Sequence, residues 1–194
     1  MAEFLPLIGF VFAGLFSPGP NVILLTASGA RFGFRPTLPH ILGVAFGVGI
    51  TSGITGFGIG ALLLSMPQLT LALKVGASLW ILWMAYKLWN AGPAQEKEAG
   101  DRPFTFIEAV LFQWVNPKVW AVALAAMAYV PAMPPTGTAL ALGATFSGIN
   151  LCVCLFWTYA GTLLSFLLKN AAAWTVFLRI MAAALVCFSV LVFI

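Results

Sequence analysis

Apolar residues run from position 4 to position 30 with scarcely a polar interruption, and five further stretches of similar kind follow. Each is near the roughly 20 residues that a helix needs to cross a bilayer. The pattern predicts six membrane spans, over residues 4–30, 38–64, 69–89, 104–130, 138–168 and 172–194. Short links over 31–36, 65–68 and 131–137 join them. The only truly polar stretch, 90–103, holds Glu96, Lys97, Glu98, Asp101 and Arg102 and divides the chain near its centre. Three parts result: a first three-helix unit over 1–90, a cytoplasmic polar loop over 91–103, and a second three-helix unit over 104–194.

Two spans are broken from within. Phe16-Ser17-Pro18-Gly19-Pro20-Asn21 interrupts the first, and Asn116-Pro117-Lys118 interrupts the fourth. Proline removes a backbone N–H and crowds the carbonyl one turn earlier. In a bilayer, broken backbone survives only against protein or a polar cavity, and transporters bind their substrates at such breaks. One break reads equally well as a kink. Two breaks, each in the first span of its unit, point to a repeat.

Positive charge sets the orientation. Arg31 and Arg35 follow the first span, Lys87, Lys97 and Arg102 the third, and Lys169 and Arg179 the fifth; the links after the second and fourth carry none. The odd links are therefore expected in the cytoplasm and both termini in the periplasm. Three spans per unit invert the second unit relative to the first. The expected fold is all-α: a polytopic membrane protein of about six transmembrane helices, built as two inverted three-helix repeats with proline-broken helices 1 and 4. Lys74 and Arg179 occupy similar places in the two units.

Composition agrees. Of the 194 residues 62% are hydrophobic and 7% charged, with a mean hydropathy of +1.05. A soluble domain has about 25% charged residues, so this chain cannot cover a water-facing surface. The net charge of +4 is scattered over the links and forms no nucleic-acid surface. Glu3 and the lack of a basic start argue against a cleavable signal peptide. Cys152, Cys154 and Cys187, odd in number and inside spans, read as packing residues rather than disulfide partners. His40, the single histidine, is expected at the interface. With no acidic pair and no H-E-x-x-H, the chain lacks the means for intramembrane catalysis, and neither a metal nor a cofactor is expected. Span 2 carries Gly43, Gly47, Gly49, Gly53, Gly56, Gly58 and Gly60. Such residues allow close helix packing within the fold, or a dimer face. Thr51, Ser52 and Thr55 either line a path or bond their own helix carbonyls. Trp80, Trp83, Tyr86 and Trp89 with Lys87 read as interface anchors.

At this point the chain resembles the LysE/RhtB family of bacterial amino-acid exporters. The residues that carry the likeness are Ser17-Pro18-Gly19-Pro20, Gly33-Phe34-Arg35 with Gly43 and Gly47, Lys74-Val75-Gly76-Ala77-Ser78-Leu79-Trp80-Ile81-Leu82-Trp83, and Asn116-Pro117-Lys118 with the apolar run after it. The likeness spans the whole chain. It implies ion-driven export of an amino acid or related small metabolite across the bacterial inner membrane. No Gly-rich loop ending in Lys-Ser or Lys-Thr is present for ATP. Many relatives carry an acid in the fifth helix where this chain has Asn150.

A zwitterion losing its water needs a partner for each charge. Half-helix N-termini at Pro20 and Pro117 suit a carboxylate, and freed carbonyls near Phe16 and Val115 suit an ammonium. Lys118 either adds charge on the carboxylate side or snorkels to the interface. Glu108 is the proton-coupling candidate if it is embedded, or an interfacial residue if it is not. Asn21, Gln113, Asn116 and Asn150 need partners wherever they are buried. The expected substrate site is Pro18, Gly19, Pro20, Asn21, Gln113, Asn116, Pro117, Lys118 and Asn150. The expected partners are a neutral or zwitterionic amino acid, the proton and membrane lipid, and the small size is compatible with a homodimer. The alternatives are a divalent-cation exporter and a channel-like protein.

Overall fold

The computed structural model describes residues 2–59, 65–91, 102–167 and 170–191. The expectations for Gly60, Leu64, Glu96, Lys97, Glu98, Asp101 and Lys169 lie outside these residues. Within them the chain is all-helical: α1 (Leu5–Phe16), α2 (Pro20–Phe32), α3 (Phe34–Gly56), α4 (Pro67–Trp89), α5 (Phe106–Val115), α6 (Pro117–Ala126), α7 (Pro135–Leu167) and α8 (Ala171–Leu191). Short 3-10 turns at Ala2–Phe4 and Met127–Tyr129 complete it.

The two breaks are sharp. α1 and α2 meet at 58°, and α5 meets the α6 segment at 66°. At the first, the Ser17 N–H still donates to the Ala13 carbonyl at 3.2 Å, but Pro18 has no N–H to continue the ladder. Gly19 is extended, and Pro20 opens α2 at the position where a fixed φ and a missing N–H cost nothing. At the second, Asn116 caps α6 by accepting the Lys118 N–H on its side chain at 3.2 Å, with Pro117 first in the helix.

Two boundaries differ from expectation. The 31–36 link is not a loop, because α2 continues to Phe32 and α3 starts at Phe34. A single residue, Gly33 at φ +86°, turns the chain in the left-handed region open to glycine. Pro36 then falls in the first turn of α3, where its missing donor is tolerated. At the other end α3 stops at Gly56, with Gly58 at φ +87° just beyond. The span count also differs. Among the described residues three helices are long and apolar enough to cross a membrane, or five if each bent pair is one span. α4 is helical as expected but is not among them. The protein is multi-pass on either count.

α3 lies along α7 and also against α5, while α2 packs on α7 and α4 on α8. Apolar side chains provide little driving force between helices in lipid, so close packing of small residues carries these contacts. Of the glycines expected to pack, Gly43, Gly47, Gly49, Gly53 and Gly56 do so within the chain, whereas nothing lies within 4 Å of an added Cβ at Gly58. A Cβ at Gly47 would lie 2.8 Å from Gln113 Cγ and 2.9 Å from Val110 Cα. One at Gly49 would lie 2.8 Å from Ser147 Cβ, and one at Gly56 2.7 Å from Ala139 Cα. Thr51 and Thr55 bond the carbonyls of Gly47 and Thr51 at 3.0 Å, satisfying their own helix rather than lining a path. Of the cysteines only Cys154 packs in the core; Cys152 and Cys187 face outward, which corrects their reading as packing residues. Trp83, Tyr86 and Trp89 are exposed, and Lys87 Nζ sits 4.3 Å from the Trp83 ring centroid, as an interfacial anchor requires.

Candidate substrate site at the helix breaks

Residues separated by about half the chain meet where the two breaks approach each other. The Asn21 and Gln113 amides pair reciprocally: Asn21 Nδ2 donates to Gln113 Oε1 at 2.8 Å and Gln113 Nε2 donates to Asn21 Oδ1 at 3.2 Å. Gln113 Nε2 also reaches the Ala109 carbonyl at 2.9 Å, and Asn116 Nδ2 approaches Gln113 Oε1 at 3.5 Å. Gln113 is fully buried, so the pairing meets the demand that its burial creates. Gln113→Leu should cost about 1–3 kcal/mol by orphaning Asn21. Adding Asn21→Leu should recover most of that loss in detergent unfolding, and additive losses would refute the coupling.

Lys118 links the breaks a second time. Its Nζ donates to the Ser17 carbonyl, to Ser17 Oγ at 2.9 Å and to the Pro18 carbonyl at 3.2 Å. These are carbonyls that the proline break frees from α1. Lys118 therefore turns toward the first break instead of snorkelling away. Gly19 makes this approach feasible. Its backbone is extended, so conformation does not demand glycine, but a Cβ there would lie 2.8 Å from Lys118 Cδ and 2.9 Å from its Nζ.

A chamber of about 20 Å³ lies between these groups, lined by Gly19, Asn21, Asn116, Lys118, Asn150 and Trp157 over an apolar wall that includes Leu15 and Val119. That is room for about one water. Two of its donors have no partner: Asn150 Nδ2, on a residue only 2% exposed, and Trp157 Nε1. Of the nine expected site residues, five line the chamber. Gln113 braces it from behind, and Pro18, Pro20 and Pro117 form the breaks. Sequence reading missed Ser17 and Trp157. Trp157 was legible in principle, since Asn150, Val153, Cys154 and Trp157 recur at the i, i+3, i+4, i+7 spacing of one face of α7.

Glu108 does not join this cluster. It sits in the first turn of α5, where its carboxylate accepts the Thr105 N–H at 2.8 Å while Thr105 Oγ1 accepts the Glu108 N–H at 3.2 Å. This reciprocal cap satisfies two otherwise free donors. Arg102 then grips the same carboxylate with both nitrogens, at 2.6 and 2.8 Å. That bidentate pairing holds the Arg102 guanidinium above its ordinary range. Glu108 and Arg102 border a wider cavity of about 530 Å³ with Arg31, Lys87, Ser28 and His40. His40 is 2% exposed and tilted against Phe104, with ring centroids 5.0 Å apart, so it is buried rather than interfacial. Among the described residues no group of three or more His, Cys, Asp or Glu side chains is placed to hold a metal.

A family model described as LysE type translocator matches residues 12–194. The threonine efflux protein of Escherichia coli is 25% identical over 112 residues, covering 54% of this chain and 54% of that protein. The homoserine/homoserine lactone efflux protein of Salmonella typhimurium is 26% identical over 143 residues, covering 71% of this chain and 69% of the relative. The cysteine/O-acetylserine efflux protein of Salmonella choleraesuis is 29% identical over 104 residues, covering 53% and 52%. The match thus spans about half the length of the threonine and cysteine efflux proteins. No solved structure is significantly similar to the chain.

Proposed function

Because the chain belongs to the LysE type translocator family, we propose that it is a secondary exporter of neutral, zwitterionic amino acids across the bacterial inner membrane. The observation that carries this reading is the chamber between the breaks. There the amides of Asn21, Asn116 and Asn150, the Lys118 ammonium and the Trp157 indole converge, and two buried donors lack partners. Unpaired buried donors are costly, and the carboxylate of an amino acid would satisfy them. The relatives carry threonine, homoserine, homoserine lactone and cysteine or O-acetylserine in their names, small polar solutes that all bear an ammonium and, except for the lactone, a carboxylate. A dication fits poorly beside Lys118. A chamber with room for about one water suits a carrier caught closed rather than a continuous pore.

We read the two proline-broken pairs as the openings of two inverted repeats. Each unit opens with a proline-broken pair, so the two breaks would be related by a pseudo-two-fold axis in the membrane plane. The termini lie on the periplasmic side in this arrangement, opposite the basic links. The proton is the coupling ion in this reading, but Glu108, partly exposed, capping α5 and gripped by Arg102, fits the interfacial alternative and is not given the coupling role.

Efflux of L-threonine, L-homoserine and L-cysteine from loaded proteoliposomes tests the function. Saturable, counterflow-competent flux is expected, lost in Pro117→Ala and Asn116→Ala variants that still insert. Flux surviving unchanged in both would move the site elsewhere. For coupling, Glu108→Gln should keep both downhill flux and its response to an imposed pH gradient. A lost response would return Glu108 to the mechanism.

A further inference from the structure

The first break displays three oxygens, the Ser17 and Pro18 carbonyls and Ser17 Oγ, and all three are occupied by the Lys118 ammonium from the second break. Half-helix carbonyls of this kind are suited to a primary ammonium, with three N–H donors for three acceptors. The chamber beside them holds the complementary half of an amino-acid site, since Asn150 Nδ2 and Trp157 Nε1 are donors without partners. One half of the pair is thus filled from within the chain and the other half is unfilled. The missing Cβ of Gly19 leaves room for the lysine in this position, since a Cβ there would press on its flexible end at Cδ and Nζ.

We propose that the Ser17–Pro18 oxygens form the ammonium subsite of the carrier, and that Lys118 is a tethered stand-in that fills it when no solute is bound. The inference rests on the exporter reading above and adds an exchange to it. An incoming α-ammonium takes the three oxygens. Lys118 is released into the chamber, and its charge moves to the solute carboxylate, which Asn150 and Trp157 also meet. A solute with both groups repays the displacement; a simple amine loses it, having nothing for the released lysine to bind. The self-filled site accordingly explains how a break with freed carbonyls rejects lone amines and stays closed when empty.

The test uses methylammonium as the probe and thermal unfolding of the purified full-length protein in detergent as the readout, so it does not depend on transport. Methylammonium should leave the wild-type midpoint unchanged and raise that of Lys118→Met, with a half-effect concentration at least tenfold below any seen for wild type. Tetramethylammonium, which cannot donate a hydrogen bond, should raise neither. Lys118→Arg keeps a cation in the cradle and should remain insensitive. Gly19→Ala keeps the lysine but crowds it, and should become sensitive to methylammonium even if Lys118→Met does not fold. Equal responses of wild type and variants, or no response in folded Lys118→Met or Gly19→Ala protein, would overturn the proposal. Absence of amino-acid flux in wild type would instead sink the exporter reading, while leaving the amine result to stand or fall alone.

Discussion

Gly161→Val should leave little or no folded protein to purify, whereas Gly148→Ala in the same helix should be well tolerated. A Cβ at Gly161 would overlap the Thr26 carbonyl, and a Cβ at Gly29 would overlap the Thr158 carbonyl. α2 and α7 therefore touch backbone to backbone through a reciprocal pair of glycines. Thr162 Oγ1 closes the contact by donating to the Gly29 carbonyl at 3.1 Å. The obstructing atoms are main chain and cannot rotate away, so relief would require the helices to part. That separation would also move Asn21 on α2 from Asn150 on α7. The expected loss is about 3 kcal/mol or more, at the upper end for overpacking. At Gly148 nothing lies within 4 Å of an added Cβ, and alanine there should be neutral or stabilising by about 0.5–1 kcal/mol. Size-exclusion profiles and unfolding midpoints in detergent measure both; equal behaviour would refute the crossing.

The second large effect falls on transport rather than folding. Asn150→Leu and Trp157→Phe each remove a buried donor that has no partner. Neither should destabilise the protein, because an unsatisfied donor contributes nothing favourable and its removal relieves a penalty. Both should lower L-threonine efflux by at least about tenfold, as expected when a hydrogen bond of about 1.4 kcal/mol or more to the solute is lost. The separation is the point of the experiment. Loss of flux together with loss of the fold would mark these residues as structural. Unchanged flux in folded variants would show that solute does not pass this chamber.

Helix type, the multi-pass class and both proline breaks were legible along the chain, as were Gly19, Lys118 and the amides that line the chamber. Their signals are local. About 20 apolar residues must be helical in a bilayer because no water is present to satisfy the backbone. Proline breaks a helix through its own ring, so Pro18, Pro20 and Pro117 mark the same positions in sequence and in space. Asn21, Gln113, Asn116 and Asn150 stand out because buried amides need partners. The boundaries were less legible. The 31–36 stretch reads as a link from its prolines and arginines, yet Gly33 alone turns the chain, because one left-handed residue suffices. His40 looked interfacial from its place near a helix start, but the packing of Phe104 over it decides its burial.

Partnership, by contrast, is a property of the folded molecule. That the second break supplies a lysine to the carbonyls of the first depends on Lys118 lying against Gly19, about a hundred positions away. The use of Gly43 and Gly47 within the chain depends on α5 lying over them. Composition, periodicity and proline positions act on their own neighbours and so determine the spans and where they break. Which amide meets which, which carbonyls are filled and which donors are left over are set by helix crossings between distant residues, because hydrogen bonds and backbone contacts act over a few ångströms of space, whatever the distance along the chain.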